Sequence, residues 1–162
     1  MLVPSRSGAA SVAAVQVINT LELRGIKVEA PICDISSRDS LSLTLERFAE
    51  TLPPIRGCIN AAMVLNVSAF RSQVTTSWNL HSILGSDLEF MAMLASVSGV
   101  VGNPGQPNYG AGCAFQDALA RFRFTQKKKT ASIDLSVIQT TGVVAKSKAL
   151  QRHLDIAENH LG

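Results

Sequence analysis

The fold is decided by one stretch, residues 88–126, which reads LEFMAMLASVSGVVGNPGQPNYGAGCAFQDALARFRFTQ. Residues 88–96 are almost all apolar, which is typical of a strand buried on both faces of a parallel sheet. Glycine, proline and asparagine are concentrated in residues 97–107 and predict a loop. Residues 108–126 predict the strongest helix of the chain. Its apolar side chains recur at helical spacing: Ala111, Phe115, Ala118, Leu119 and Phe122.

The rest of the chain alternates between the same two kinds of segment. Further strands are predicted at residues 2–3, 27–33, 55–60 and 130–135. Helices are predicted at residues 9–24, from the capping serines at 36–37 to residue 52, and at 145–160, with a helical turn or two at 78–84. Residues 63–77 give no clear pattern. This alternation predicts β-α units and an α/β fold with a mainly parallel sheet, in a single domain over residues 1–162.

The composition excludes several classes of protein. Of the 162 residues, 46% are hydrophobic and 17% charged, which excludes a disordered chain. No stretch reaches the roughly 18–20 continuous apolar residues of a membrane span, so we expect no membrane partner. The three cysteines form no CxxC motif, which favours a reducing, cytoplasmic location. The three histidines show no metal-ligand spacing, so no metal site is predicted.

The formal net charge is +3, and Lys127–Lys129 form the one dense basic run. A basic patch is one of the features of nucleic-acid-binding proteins. This run, however, follows the strongest predicted helix, where cations suit the negative end of the helix dipole. No recognised nucleic-acid-binding module frames it. We therefore expect no nucleic-acid partner.

Two hydroxyl side chains flank the predicted loop. Ser96 ends the best strand, and Tyr109 opens the strongest helix thirteen residues later. A tyrosine hydroxyl donates a proton readily near neutral pH only when its anion is stabilised, as by a nearby cation. A serine hydroxyl can hold a substrate carbonyl oxygen, so the pair suits carbonyl reduction by hydride transfer. Taken alone, this spacing is also compatible with a tyrosine that only packs at a helix start.

The surrounding string, residues 94–120, resembles the active-site segment of ketoreductase domains of fungal-type highly reducing polyketide synthases. These domains belong to the short-chain dehydrogenase/reductase superfamily and are related to fatty acid synthase domains. The resemblance covers about residues 2–150. It continues in these segments: Pro4–Gly8, Cys33–Ile35, Pro53–Leu65, Trp78–His81 and Ser132–Leu135.

The resemblance implies a Rossmann-like, doubly wound sheet and a role for specific residues. Tyr109 would donate the proton to the reduced carbonyl, and Ser96 would hydrogen-bond that carbonyl. Arg6 would face the 2′-phosphate of NADPH, a group that a guanidinium pairs well. The resemblance also places Asp34 beside the adenine ring. Asn60, Ala61 and Ala62 would lie along the cofactor ribose. As alternatives, Arg6 is a solvated turn residue and Asp34 a simple cap.

The resemblance also implies a substrate and partners. Intact relatives reduce a β-ketoacyl thioester, held on an acyl carrier protein, to a β-hydroxyacyl thioester. The chain departs from the family pattern in three places. The first strand and its glycine-rich loop do not precede Leu2. Gln73 stands about where the family has its catalytic lysine, and Cys113 stands where it has asparagine.

These departures lead to two expectations. If the chain acts as an enzyme, it is weak or inactive, because glutamine carries no charge that would lower the pKa of Tyr109. The alternative is a non-catalytic remnant that serves as a structural or association module. Such a module would pair through exposed sheet edges with itself or with other synthase modules.

Overall fold

The computed structural model describes residues 1–62, 69–84, 88–102 and 105–136, and for residues 69–71 the backbone alone. The helices are α1 (Val12–Glu22), α2 (Arg38–Ala49), α3 (Ala69–Ile83), α4 (Ser98–Val101) and α5 (Pro107–Thr125). The strands are β1 (Gly57–Asn60), β2 (Phe90–Ser96) and β3 (Thr130–Leu135). The predicted helix at 145–160 lies outside the described residues.

The three strands form a parallel sheet in the order β1-β2-β3. Asn60 of β1 lies opposite Met93 of β2, which in turn lies opposite Ser132 of β3. The prediction of an α/β fold with a parallel sheet is therefore confirmed. The two predicted N-terminal strands are present only as isolated parallel bridges, Leu2 with Glu29 and Ser5 with Ile32.

One face of this sheet is covered by α3 and α5. Along β2 the side chains alternate, and Met91, Met93 and Ala95 are 1%, 0% and 3% exposed. They join a core to which α3 contributes Leu80 and α5 contributes Leu119. The alternation arises because successive side chains of a strand point to opposite faces. We call this side of the sheet the covered face.

The opposite side, the open face, is apolar but exposed in the described part of the chain. Ile59, Phe90 and Ile133 are 64%, 48% and 44% exposed. Ile133 lies opposite Leu94, and Phe90 lies opposite Gly57, so one apolar surface runs across all three strands. The apolar run of residues 88–96 predicted a strand buried on both faces, and only one of its faces is buried in these residues.

Helix capping follows the sequence closely in the N-terminal part. Ser11 caps α1 by accepting from the amide of Ala14 at 3.1 Å. Ser37, a predicted cap, accepts from the amide of Ser40 at 3.3 Å and begins α2. None of the residues of α1 is fully buried. Its half-buried side chains, Ala14, Ile18 and Leu21, recur at helical spacing and so lie on one face of the helix.

The buried side of α5 differs from the predicted apolar stripe. Ala111, Ala118 and Phe122 are exposed. Leu119 of the predicted stripe is buried, and so are Gly112, Cys113, Gln116, Ala120 and Arg123. The prediction was wrong for Ala111, Ala118 and Phe122, because it counted apolar side chains only. Polar side chains are buried here because α3 and β3 supply their hydrogen-bond partners.

Arg123 links three elements within the covered face. It is 1% exposed, and its Nε donates to Thr130 Oγ1 of β3 at 2.8 Å. Its Nη1 lies 2.8 Å from Nδ1 of His81 on α3. Burial lowers the pKa of His81, and the charges of Arg123 and Lys128 lower it further, so the ring accepts this hydrogen bond in its neutral form. Burial raises the pKa of the neighbouring Cys58 thiol to about 11.

Candidate functional site

Ser96 and Tyr109 meet at the carboxyl end of β2. Ser96 is the last residue of the strand, and Tyr109 lies in the first turn of α5. The short helix α4 connects them and turns the chain back on itself. A side-chain hydrogen bond joins Ser96 to the phenol of Tyr109. The structure thus brings together the two hydroxyl groups that the sequence singled out.

Two glycines allow α4 to lie directly on the start of α5. A Cβ on Gly99 would lie 2.9 Å from Cβ of Cys113 and from the amide nitrogen of Ala114. A Cβ on Gly110 would lie 2.8 Å from the carbonyl oxygen of Ser98. Both distances are shorter than real Cβ contacts allow, so larger residues would push α4 away from α5. The glycines therefore help to set the position of Ser96 relative to Tyr109.

Ser98 is a second partner of the Ser96 hydroxyl. The backbone amide of Ser98 donates to Ser96 Oγ at 3.2 Å. The Ser96 hydroxyl donates to Ser98 Oγ, also at 3.2 Å. Ser98 was not among the predicted site residues. Its position two residues after Ser96, at the first turn of a helix, was the available signal.

The surroundings of Tyr109 oppose its ionisation. The side chain is half-buried, and this burial raises its pKa above the ordinary value of 10.0. The hydrogen bond with Ser96 lowers the pKa of Tyr109, while Cys113 raises it. Among the described side chains, no cation contributes to this balance. The phenol is therefore a weak acid in this site.

Gln73 and Cys113 face one another across the contact between α3 and α5. The Gln73 side chain is 2% exposed, and its Nε2 donates to Sγ of Cys113 at 3.8 Å. Its Oε1 has no hydrogen-bond partner among the described residues and packs on Gly112, where a Cβ would lie 2.0 Å away. Burial raises the pKa of the Cys113 thiol. Both side chains are neutral near pH 7, and Cys113 in turn hydrogen-bonds Tyr109.

A second buried polar cluster lies one helical turn deeper. Asn60 is 1% exposed, and its Nδ2 donates to Ser77 Oγ at 3.0 Å. Gln116 Nε2 donates to the same oxygen at 3.3 Å. Asn60 Oδ1 accepts from the amide of Ala62 at 3.2 Å and so shapes the chain after β1. Asn60 was a predicted site residue. Ser77 and Gln116 were not predicted, and their only signal in the sequence was their helical spacing from Gln73 and Cys113.

Arg6 and Asp34 lie at the ends of the two bridged N-terminal segments. Arg6 is exposed in a tight turn closed by a hydrogen bond from Gly8 N to Ser5 O, at 3.3 Å. Asp34 accepts from the amide and the hydroxyl of Ser36, at 3.0 and 2.7 Å. These hydrogen bonds lower the pKa of Asp34, and the charge of Arg6 lowers it slightly more.

These residues fit a phosphate-bearing dinucleotide. Arg6 is an exposed cation that forms no salt bridge with the described carboxylates. Asp34 is exposed, and its ionised form is favoured. Ala61 is exposed, and Ala62 is half-buried, at the carboxyl end of β1. Parallel sheets bind nucleotides at this end of their strands.

The described residues form neither a metal site nor a membrane-spanning helix. No cluster of three or more histidine, cysteine, aspartate or glutamate side chains is arranged to hold a metal ion. None of the described helices combines the length and apolar character that crossing a membrane requires.

Comparison with known proteins identifies the fold and the family. The first-module ketoreductase of phoslactomycin biosynthesis in Streptomyces sp. HK803 superposes with a TM-score of 0.86 at 27% identity. The match covers 95% of this chain and 38% of that one. The fold is thus the Rossmann-like fold of short-chain dehydrogenases. The chain belongs to the ketoreductase domain family, since residues 1–140 match the family described as the KR domain.

Two relatives illustrate how much of each protein is shared. Highly reducing polyketide synthase 2 of Gibberella zeae is 42% identical over 165 residues, covering 94% of this chain and 6% of that protein. Lovastatin diketide synthase of Aspergillus terreus is 42% identical over 144 residues, covering 81% of this chain and 6% of that protein. The chain therefore spans only a small part of the relatives that it matches.

Proposed function

We propose that this chain carries the carbonyl-reducing site of a polyketide synthase ketoreductase. The substrate is a β-ketoacyl thioester held on an acyl carrier protein, and the product is the β-hydroxyacyl thioester. The observation that carries the proposal is the hydrogen-bonded pair of Ser96 and Tyr109 at the carboxyl end of β2. We propose further that the bridged N-terminal segments and the three-strand sheet are parts of one doubly wound sheet.

Each polar residue of the site has a task in this proposal. The Ser96 hydroxyl donates a hydrogen bond to the substrate carbonyl oxygen, and Tyr109 transfers its phenolic proton to that oxygen. When bound, NADPH supplies the hydride that reduces the carbonyl carbon. Arg6 would hold the 2′-phosphate, and Asp34 would lie on the adenine side. Asn60, Ala61 and Ala62 would line the ribose side.

The proposed activity is weak, because the site holds Tyr109 in an unfavourable state. Burial raises the pKa of the phenol, and its described neighbours Ser96 and Cys113 are neutral groups. The buried side chain that faces Cys113 is Gln73, an amide. An ammonium group at position 73 would stabilise the phenolate and make Tyr109 a stronger acid.

The test is the oxidation of NADPH by the purified chain with a β-ketoacyl thioester. We expect slow turnover, which Tyr109→Phe reduces by about 100-fold because the proton donor is lost. Gln73→Lys should raise turnover about tenfold or more. Ser82→Ala is the matched control, since this exposed hydroxyl donates to the Trp78 carbonyl of its own helix, at 2.8 Å. Turnover that is unaffected by Tyr109→Phe would contradict the proposal.

Cofactor binding is measured separately, by titrating NADPH into the chain and following its fluorescence. Arg6→Gln removes the cation that would pair with the 2′-phosphate. It should therefore weaken binding of NADPH more than binding of NADH, which lacks this phosphate. Equal effects on both cofactors would contradict the assignment of Arg6, even if turnover were observed.

A second candidate function is association without catalysis, which is favoured by the exposed apolar side chains of the open face. Large apolar surfaces of this kind mark interaction sites. In this case the chain would associate with itself or with other synthase modules and would bind no NADPH. Light scattering separates the two candidates: a monomer that binds NADPH contradicts the association module.

A further inference from the structure

Ser98 contacts Ser96 and Gly110, the residue that follows Tyr109, through different atoms. Its amide and its hydroxyl each hydrogen-bond Ser96 Oγ at 3.2 Å. Its carbonyl oxygen packs against Gly110, the residue that follows Tyr109, where a Cβ would lie 2.8 Å away. The backbone of Ser98 is therefore held in place by contacts that do not depend on its side chain.

The hydrogen bonds around Ser96 compete for one proton. A serine hydroxyl has a single O–H donor and accepts with its lone pairs. The lone pairs of Ser96 receive the amide of Ser98, while its proton points to Ser98 Oγ. The oxygen of Tyr109 is a second acceptor within reach of Ser96, because a side-chain hydrogen bond joins the two residues. Ser98 Oγ and Tyr109 thus compete for the same hydrogen.

We propose that Ser98 is a positioning residue that directs the hydroxyl proton of Ser96. In the resting site the Ser98 hydroxyl accepts this proton and holds it away from Tyr109. When a substrate carbonyl oxygen enters, Ser96 turns its proton to that oxygen while the Ser98 amide continues to hold the Ser96 oxygen. The second part of this proposal rests on the proposed function, whereas the first part concerns the protein alone.

The test uses the fact that Tyr109 is the single tyrosine of the chain. Its phenolate absorbance in the near ultraviolet, recorded in rapid pH jumps before any unfolding, therefore reports the pKa of this one residue. Ser98→Ala removes the competing hydroxyl but keeps the amide. The Ser96 proton then becomes free to stabilise the phenolate, and we expect the pKa of Tyr109 to fall by about 0.5.

Three further variants make the result specific. Ser98→Thr keeps the hydroxyl and should leave the pKa of Tyr109 at its wild-type value. Ser96→Ala removes the donor itself and should raise the pKa. Ser82→Ala, an exposed serine of α3, should change nothing. Fluorescence of the single tryptophan, Trp78, checks that each variant is folded before its titration is interpreted.

Two outcomes would overturn the proposal. One is a pKa of Tyr109 that is unchanged or raised in Ser98→Ala. The other is an equal fall in Ser98→Ala and Ser98→Thr, which would assign the effect to the shape of the side chain. Because the titration needs neither cofactor nor substrate, it succeeds or fails independently of turnover. If the pKa falls as expected but Tyr109→Phe leaves turnover unaffected, the proposed function fails and the role of Ser98 in orienting the hydroxyl stands.

Discussion

The two faces of the sheet are built from the same three strands but differ in almost every property. On the covered face, Met91 and Met93 are 1% and 0% exposed beneath α3 and α5. On the open face, Phe90 and Ile133 are 48% and 44% exposed. Both faces are apolar in sequence, so apolar character alone does not determine which side chains stabilise the fold. The comparison indicates that packing against α3 and α5 supplies the stability.

The two faces should differ most in how much stability is lost when one apolar side chain on each face is truncated. Met93→Ala should lower the free energy of unfolding by about 3 kcal/mol, because it leaves a cavity in a packed core. Ile133→Ala should lower it by less than about 1 kcal/mol, because this side chain is already partly in water. Urea denaturation measures both values. Equal losses would show that the open face is buried in solution, as by self-association.

A smaller difference is expected from adding one methyl group to a glycine on each face. Gly112→Ala should lower the free energy of unfolding by about 2 kcal/mol. Its Cβ would lie 2.0 Å from Gln73 Oε1 and 2.9 Å from Gln73 Cδ, in the packed contact between α3 and α5. The Cβ of Gly57→Ala would lie 2.3 Å from the ring of Phe90. That ring is half-exposed and can rotate into solvent. Gly57→Ala should therefore lower the free energy of unfolding by less than about 1 kcal/mol. Thermal melts of the two variants test this order.

The smallest expected effect is a pH dependence of stability, which arises from a histidine on the side of the covered face. The pKa of His81 is lowered from its ordinary value of 6.5, so the folded chain binds a proton at this ring less readily than the unfolded chain. Stability is therefore complete above pH 6.5 and falls as the pH drops below that value. His81→Asn keeps an acceptor for Arg123 but cannot be charged. Its denaturation midpoint should change less between about pH 8 and about pH 5 than that of the wild type.

Most of the regular elements were predictable, because their signals are local. The predicted helix at 108–126 is α5 (Pro107–Thr125), and the strand predicted at 130–135 is β3. The main omission was the first half of α3, where Val74, Thr75 and Thr76 have low helix propensity. Thr76 is nevertheless 1% exposed, and the helix is held by packing against α5. Tertiary contacts of this kind leave no mark in a local pattern.

The candidate site shows the same limit. Ser96 and Tyr109 were predicted as a pair and meet in the structure, and Gln73 lies against Cys113. The roles of Ser98 and Ser77 were not predicted. Serine is common in loops and on helix surfaces, and only the partner brought from another element distinguishes these two residues. Their importance follows from the packing of α4 and α3 on α5, which the sequence does not display.

The β2–α5–β3 unit also has a consequence for the order of folding. Its two strands are adjacent in the sheet, although a helix separates them along the chain. Arg123 Nε and Thr130 Oγ1 join the end of this helix to the start of β3 across only seven residues of chain. Contacts over such short separations close at a low entropic cost and form early. We therefore expect this unit to act as the folding nucleus, on which β1 and α3 assemble later.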